Sequence, residues 1–235
     1  MGSTSTTETA GDVLLFYPNI IGYLRILFTC LSVYYSLEDW QTSMVCYLLS
    51  FCCDYFDGLV ARTCDQCSNF GAVLDMVTDR CSTACLLMVL GHLYAKAGHG
   101  GSALLFFSLL MTLDIFSHWL HMYASAKLRE HHKTTDTSQG WILRAYYGCK
   151  PVFGYCCVGA ELFYVLLYMR MFVADDTVVV SAGGFDVTLW QLCFYGMGPA
   201  CTIKQITNVA QLFAGATELA EADVRTRAAA RGKGK

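Results

Sequence analysis

The sequence predicts an all-α polytopic membrane protein with six transmembrane helices. Of its 235 residues, 55% are hydrophobic and only 15% are charged, and the mean hydropathy is +0.41. A soluble domain usually carries about 25% charged residues. The apolar residues form six runs, each near the roughly 20 residues that a helix needs to cross a bilayer. The basic residues between the runs are concentrated on one side of the membrane that these spans imply.

Each apolar run is predicted to form one spanning helix. The runs are Pro18–Ser36, Ser43–Arg62, Gly71–Ala95, Ser102–Ala126, Lys150–Val173 and Val187–Ala214. Before the first run, Val13–Tyr17 could lie along the membrane interface as a short amphipathic helix. One membrane domain, residues 13–217, is therefore expected between a disordered N-terminal tail, residues 1–12, and a basic cytosolic tail, residues 218–235.

The basic residues of the connections predict the orientation. If both termini are cytosolic, Arg62, the basic residues of the loop 127–150 and those of the C-terminal tail all face the cytosol. The opposite side holds one loop lysine, Lys96, with Arg170 near a helix end. This bias follows the positive-inside rule. No basic arm interleaved with aromatic residues is present, so nucleic-acid binding is not expected.

Four carboxylates lie within or beside predicted spans, where they are costly and indicate function. Asp54 and Asp57 are three residues apart near the end of the second span, and Asp75 and Asp79 are four apart in the first turns of the third. Both spacings place a pair on one helix face. Because four like charges resist ionisation together, cations are expected, and oxygen ligands suit Mg²⁺ or Mn²⁺. The pattern therefore predicts a two-ion site at the cytosolic edge of the membrane.

The residues around the aspartates favour a phosphate ligand. Gly58 and Gly71 leave room for a ligand or a neighbouring helix to approach closely. The amides at the start of the third span can face a phosphate, and Arg62 offers a bidentate fork for its oxygens. Two cations in such a site could neutralise a pyrophosphate and its leaving group.

The order of these residues resembles a family signature. It reads Asp54-x-x-Asp57-Gly58-x-x-Ala61-Arg62, eight residues, then Gly71-x-x-x-Asp75-x-x-x-Asp79. This pattern is similar to the signature of the CDP-alcohol phosphatidyltransferases, with no substitution. Four further segments resemble the eukaryotic phosphatidylinositol synthases of that family: Phe16–Arg25, Phe70–Thr83, Asp114–His121 and Glu161–Tyr164.

The resemblance implies a role for each signature residue. Asp54, Asp57 and Asp75 would hold two Mg²⁺ or Mn²⁺ ions, while Asp79 would contact one ion and act as the general base. Ala61 would keep the cytidine pocket shallow. The residues that would bind CDP-diacylglycerol are this Ala61 together with Gly58, Arg62, Ser68 and Gly71.

The implied reaction transfers the phosphatidyl group of CDP-diacylglycerol to myo-inositol and releases CMP. The resemblance also implies a homodimer in the endoplasmic reticulum or Golgi membrane, with the active site facing the cytosol. The pocket for the alcohol is less defined. Six residues could contact inositol or a headgroup: Asn19, Arg25, His118, His121, Arg144 and Lys150.

These six residues also allow other interpretations, and Asn19 and Arg25 could orient the site from the first span. His118 and His121 could be metal ligands or interfacial residues, and Arg144 and Lys150 could simply mark topology. Arg25 lies inside a span and needs an anionic partner, for which the aspartates are the nearest candidates.

Two other functions stay open at this point. A sister transferase could use glycerol phosphate, serine, choline or ethanolamine, and the aspartate motif does not separate these acceptors. A cation transporter could use the acids as an ion path, but it would need carboxylates near the bilayer midplane and broken helices. The four aspartates lie instead at predicted helix ends.

Overall fold

Helices make up most of the computed structural model, which describes residues 9–130 and 141–232. The helices are α1 (Ala10–Leu14), α2 (Tyr17–Tyr35), α3 (Trp40–Thr63), α4 (Asn69–Tyr94), α5 (Gly100–Glu130), α6 (Trp141–Gly148), α7 (Lys150–Met169), α8 (Leu189–Gln191) and α9 (Gly198–Gly232). The predicted all-α class is confirmed. One addition is an antiparallel hairpin of β1 (Val178–Ala182) and β2 (Phe185–Thr188).

Both ends of the chain differ from the predicted tails in part. Residues 1–8, 131–140 and 233–235 lie outside the described residues, and the second of these ranges connects α5 with α6. Within the predicted N-terminal tail, α1 begins at Ala10 and is capped by Thr9, whose side chain accepts a hydrogen bond from the Asp12 amide. The predicted boundary at residues 217–218 falls inside α9, which continues to Gly232.

Three described helical stretches are long and apolar enough to cross a membrane. They are Trp40–Thr63, Asn69–Lys127 and Lys150–Met169, and the second of them contains both α4 and α5. The helix α2 falls short because Asn19 and Arg25 lower its hydropathy. Polar residues such as Lys204 and Gln211 do the same for α9. The predicted count of six spans is therefore not confirmed by length and composition alone.

The chain divides into two compact units, and the boundary falls between Val89 and Leu90, within α4. In the first unit, α2 and α3 pack through small and polar side chains. The Thr29 and Ser50 hydroxyls lie 3.1 Å apart, and those of Ser32 and Ser43 lie 3.3 Å apart. Such residues are typical of contacts between helices in membranes, where apolar side chains face lipid.

In the second unit, α5 and α9 run in the same direction. Asn208 Nδ2 lies 3.2 Å from Asp114 Oδ1, and further along both helices Lys127 Nζ lies 3.9 Å from Asp223 Oδ1. The helix α7 runs in the opposite direction to α9. Gly159, in the middle of α7, packs against α9. The residues that follow the end of α7 contact the segment that precedes α9, so the end of α7 lies near the start of α9.

The predicted sixth span is interrupted by a wide helical turn, Leu192–Met197, with π-helical hydrogen bonding. Pro199 follows this turn and has no N–H to donate to the carbonyl four residues earlier. The Gly198 amide instead donates to the Cys193 carbonyl. The missing donor explains why the helix widens here before α9 begins.

We expect Gly159→Val to destabilise the protein because a Cβ at this position would lie 2.5 Å from the Cβ of Ala200. Neither helix can relieve this clash by turning a flexible side chain, and overpacking typically costs about 1–3 kcal/mol. The midpoint of thermal unfolding in detergent measures the effect. Gly154→Val is the matched control, since a Cβ at Gly154 in the same helix meets nothing within 4 Å. Equal midpoints for the two variants would contradict this packing of α7 on α9.

Candidate functional site

Four carboxylates in the first unit converge on one buried guanidinium, that of Arg25. Arg25 Nη2 lies 2.7 Å from Asp54 Oδ1, and Arg25 Nη1 lies 2.9 Å from Asp57 Oδ2 and 2.8 Å from Asp75 Oδ1. Arg25 Nη2 also donates to Asp79. The Arg25 side chain is only 3% exposed, whereas Asp75 is 50% exposed. The arginine therefore lies beneath the carboxylates, and Asp54, Asp75 and Asp79 form the open surface of the site.

Helical spacing produces this convergence. Asp54 and Asp57 lie one turn apart on α3, and Asp75 and Asp79 lie one turn apart on α4, as the sequence predicted. The inward face of α2 carries Arg25 together with Asn19, whose side chains are both buried. In the loop between α3 and α4, Asp65 adopts a positive φ of 55°.

The site fits a divalent cation. One carboxylate oxygen from each of Asp54, Asp57 and Asp75 lies within 4.8 Å of the other two. Carboxylate oxygens are the ligands that Mg²⁺ and Mn²⁺ prefer. The guanidinium beneath these oxygens shows that the arrangement already favours positive charge. Asp79 is outside this group of three and lies beside a second arginine, with its Oδ2 3.6 Å from Arg80 Nη2.

A cavity of about 170 Å³ adjoins the carboxylates. Among its lining residues are four that the sequence assigned to CDP-diacylglycerol: Gly58, Ala61, Ser68 and Gly71. Asp57 and Asp75 also line it. The fifth assigned residue, Arg62, places Nη1 3.4 Å from where a Cβ on Gly58 would be. The structure therefore brings all five together at one edge of the aspartate cluster.

The floor of this cavity holds a hydrogen-bond acceptor, Asn19 Oδ1. Asn19 Nδ2 donates to the Val13 carbonyl at 2.5 Å, but Asn19 Oδ1 is buried and has no partner among the residues that the structure describes. Gly71 faces this oxygen, and a Cβ there would lie 2.9 Å from it. The Ser68 hydroxyl caps α4 by accepting from the Gly71 amide at 2.9 Å. The cavity thus offers an acceptor for a hydroxyl or amino group of a ligand.

The remaining predicted contacts belong to the second unit. His118 Nδ1 lies 2.8 Å from the Asp114 carbonyl oxygen, so Nδ1 carries the proton. His118 Nε2 can then accept from Lys204 Nζ at 3.4 Å. His121 Nδ1 is buried and has no partner within residues 9–130 and 141–232. Arg144 lies in α6, and Lys150 is the first residue of α7.

Sequence reasoning missed several polar residues that the structure places in these networks. Gln66 Oε1 accepts from the Tyr17 amide at 2.9 Å and lines the cavity. Ser50 Oγ donates to the Arg25 carbonyl at 3.1 Å. On α9, Lys204 and Asn208 approach His118 and Asp114. The spacing of polar residues three to four apart within apolar runs was the available signal, because it marks an inward face.

The chain is similar to known proteins over most of its length. The family profile described as CDP-alcohol phosphatidyltransferase matches residues 15–221. The human protein named CDP-diacylglycerol–inositol 3-phosphatidyltransferase is 41% identical over 218 residues, which cover 92% of this chain and 97% of the human one. The Schizosaccharomyces pombe protein of the same name is 37% identical over 231 residues, 94% of this chain and 95% of its own. No solved structure shows a significant match.

We expect Arg25→Gln to destabilise the protein most strongly in the absence of divalent metal. Four carboxylates would then converge without a cation, and the loss of one partner from a buried ion pair typically costs about 3–5 kcal/mol. The thermal midpoint in EDTA should fall by roughly 6–20 °C, and Mg²⁺ should raise it more in the variant than in the parent protein. Arg80→Gln is the control, because Arg80 is a second arginine beside the cluster and its Nη2 lies 3.6 Å from Asp79 Oδ2, farther than Arg25 lies from any of the four aspartates. A variant that is as stable in EDTA as the parent would refute this role.

Proposed function

The chain belongs to the CDP-alcohol phosphatidyltransferase family, and on that premise we propose that it transfers the phosphatidyl group of CDP-diacylglycerol to myo-inositol. The observation that carries the proposal is the convergence of the four signature aspartates beside a cavity lined by the other signature residues. The proposed acceptor follows from relatives in animals and fungi that are named for inositol. Family membership favours phosphatidyl transfer over the cation transporter, and the relatives named for inositol favour inositol over the sister acceptors.

The nucleotide end of the lipid substrate is proposed to occupy the cavity beside α4. Arg62 would donate to phosphate oxygens, and Gly58 leaves space under its guanidinium. The unpaired Asn19 Oδ1 would accept a hydrogen bond from a hydroxyl or amino group of the nucleotide. Gly71 and Ala61 keep this space open because neither carries a side chain longer than a methyl group.

Asp79 is proposed to be the general base. Its carboxylate is one-third exposed. Asp79 also lies outside the group formed by Asp54, Asp57 and Asp75, whose carboxylate oxygens lie within 4.8 Å of one another. It would take the proton of an inositol hydroxyl, whose oxygen then bonds to the phosphatidyl phosphorus. The bond between that phosphorus and the CMP oxygen breaks, and CMP leaves with the electron pair.

Asp54, Asp57 and Asp75 are proposed to hold two Mg²⁺ or Mn²⁺ ions, with Asp79 at the edge of the site. When bound, such ions would neutralise the carboxylates and stabilise both the phosphoryl oxygens and the departing CMP. Arg25 holds the four carboxylates together from below, and its charge lowers the cost of assembling four like charges while no cation is bound. A bound cation would share the carboxylates with Arg25, so the two positive groups would compete for the same oxygens.

The six-span topology is proposed with the active site facing the cytosol. The parallel course of α5 and α9, with α7 antiparallel to α9, supports one crossing by each of these three helices. The ion pair of Lys127 with Asp223 places the end of α5 beside the later turns of α9, as expected if both lie on the basic, cytosolic side. The family resemblance supports a homodimer in the endoplasmic reticulum or Golgi membrane.

The acceptor is tested with purified protein, CDP-diacylglycerol and an equimolar mixture of inositol, serine, glycerol phosphate, choline and ethanolamine. Mass spectrometry of the lipid product should show phosphatidylinositol as the main species, with CMP released in equal amount. EDTA should abolish the reaction, and Mg²⁺ or Mn²⁺ should restore it. A different main product would show that the chain uses one of the other alcohols as its acceptor. Full turnover in chelator would contradict the metal site.

Asp79→Asn and Asp54→Asn separate the base from the cation ligands. Both remove one charge that faces Arg25, so each controls for the other. Asp79→Asn should lower kcat by about 10²–10⁴-fold, the usual contribution of a general base, while binding of CDP-diacylglycerol stays close to that of the parent. Asp54→Asn should weaken Mn²⁺ and CDP-diacylglycerol binding together. Near-normal single-turnover rates in Asp79→Asn would mean that another group accepts the proton.

Gly71→Ala should raise KM for CDP-diacylglycerol by about tenfold, which corresponds to about 1.4 kcal/mol. The added Cβ would press on Asn19 Oδ1 and on the Ser68 hydroxyl, which it would approach to 3.1 Å. The KM for inositol should change much less. Gly101→Ala is the control because a Cβ at Gly101 meets nothing within 4 Å. Equal effects on both substrates would argue against a nucleotide-lipid site in this cavity.

A further inference from the structure

The β1–β2 hairpin follows α7 and returns the chain to the segment that leads into α9. Two backbone hydrogen bonds close its base: the Leu189 amide donates to the Thr177 carbonyl at 2.9 Å, and the Trp190 amide donates to the Asp175 carbonyl at 3.1 Å. The hairpin is therefore tied to the adjoining helix ends. Nothing in the proposed reaction uses it.

A tight turn makes the tip of the hairpin rigid. Its two central residues, Gly183 and Gly184, have φ values of 59° and 83°. Two-residue turns with positive φ at both positions match the twist of antiparallel strands, and glycine adopts them without strain. The turn fixes the direction of Phe185, which directly follows it.

The two faces of the hairpin differ in chemistry. Ala182 pairs with Phe185 and Val180 pairs with Val187, which places Val180, Phe185 and Val187 on one face. Phe185 is 79% exposed and Val180 is 45% exposed. The opposite face carries the pair of Ser181 and Asp186, in which Ser181 Oγ donates to Asp186 Oδ1 at 2.6 Å.

Charged and aromatic residues flank the hairpin in a pattern that suits a membrane surface. At its base, Arg170 Nε and Nη2 donate to Asp175 at 2.5 and 2.6 Å, and these hydrogen bonds lower the pKa of Asp175. Beyond β2, Trp190 and Tyr195 are exposed, Tyr195 at 71%. Tryptophan and tyrosine are enriched where the headgroups of a bilayer meet its acyl chains.

We propose that the apolar face of this hairpin, formed by Val180, Phe185 and Val187, binds the headgroup–acyl boundary of the non-cytosolic leaflet. The lipid surface is the occupant that the neighbouring elements favour, because a short hairpin between two crossing helices must lie at the bilayer surface. An exposed phenylalanine on a rigid tip can enter that boundary, while Ser181 and Asp186 face water. The inference rests on the proposed crossings by α7 and α9 but not on the proposed reaction.

Site-specific photo-crosslinking tests the inference in full-length protein reconstituted into phosphatidylcholine vesicles. Phe185→p-benzoylphenylalanine places the photoreactive group on the apolar face, and Asp186→p-benzoylphenylalanine places it on the polar face one residue away. Mass spectrometry should detect phosphatidylcholine adducts at position 185 at a severalfold higher yield than at position 186. Both side chains are exposed, so both variants should keep the parent's thermal midpoint. If either fails to fold, Val180→p-benzoylphenylalanine against Ser181→p-benzoylphenylalanine makes the same comparison.

Three results would overturn the proposal: equal lipid yields on the two faces, adducts to a second copy of this chain in place of lipid, or no adduct at either position. Transferase activity is measured on the same vesicles. An active enzyme without lipid adducts at position 185 would reject the hairpin contact alone. Lipid adducts on a protein inactive with every alcohol would reject the proposed reaction alone.

Discussion

The contact of the Arg25 guanidinium with four carboxylates is the interaction on which the first unit depends. Four acids from α3 and α4 meet at one arginine from α2. A guanidinium can do this because its planar fork presents several donors in fixed directions. A buried charge of either sign would be costly alone. Together they fix how three helices are placed, since any rotation of α2 would remove the guanidinium from at least one carboxylate.

This constraint explains why the helices of the first unit are polar inside. Further along α2 from Arg25, the hydroxyls of Thr29 and Ser32 lie beside those of Ser50 and Ser43 on α3. These hydroxyl pairs extend the contact between α2 and α3. Gly22 allows the same close approach to α4, where a Cβ would lie 2.8 Å from Leu74 Cδ2. Small and polar residues thus serve packing here, and the apolar residues are left for the outward faces.

The sequence predicted the site better than it predicted the fold around it. The aspartate pairs could be placed because carboxylates three and four residues apart share a helix face, and the family that they indicated is confirmed. Arg25 was recognised as needing an anionic partner, but its contact with all four acids depends on how α2 packs, which periodicity does not specify. The hairpin was missed because Val178–Val180 is an apolar run of only three residues outside the predicted spans, and the glycine pair after it is a weak signal inside a long loop. The network of Lys204 and Asn208 was missed because these residues were read as part of an apolar span.

The affinity of the metal-free protein for Mn²⁺ tests most directly whether the guanidinium lies where a cation would bind. Electron paramagnetic resonance of free Mn²⁺ gives this affinity for the parent and for Arg25→Gln in detergent at low temperature. If Arg25 shares the carboxylates with the metal, removing its charge should tighten Mn²⁺ binding. The guanidinium would then no longer compete with Mn²⁺ for the carboxylate oxygens or repel the ion. Unchanged or weaker Mn²⁺ binding in a folded Arg25→Gln protein would contradict the central place given to this contact.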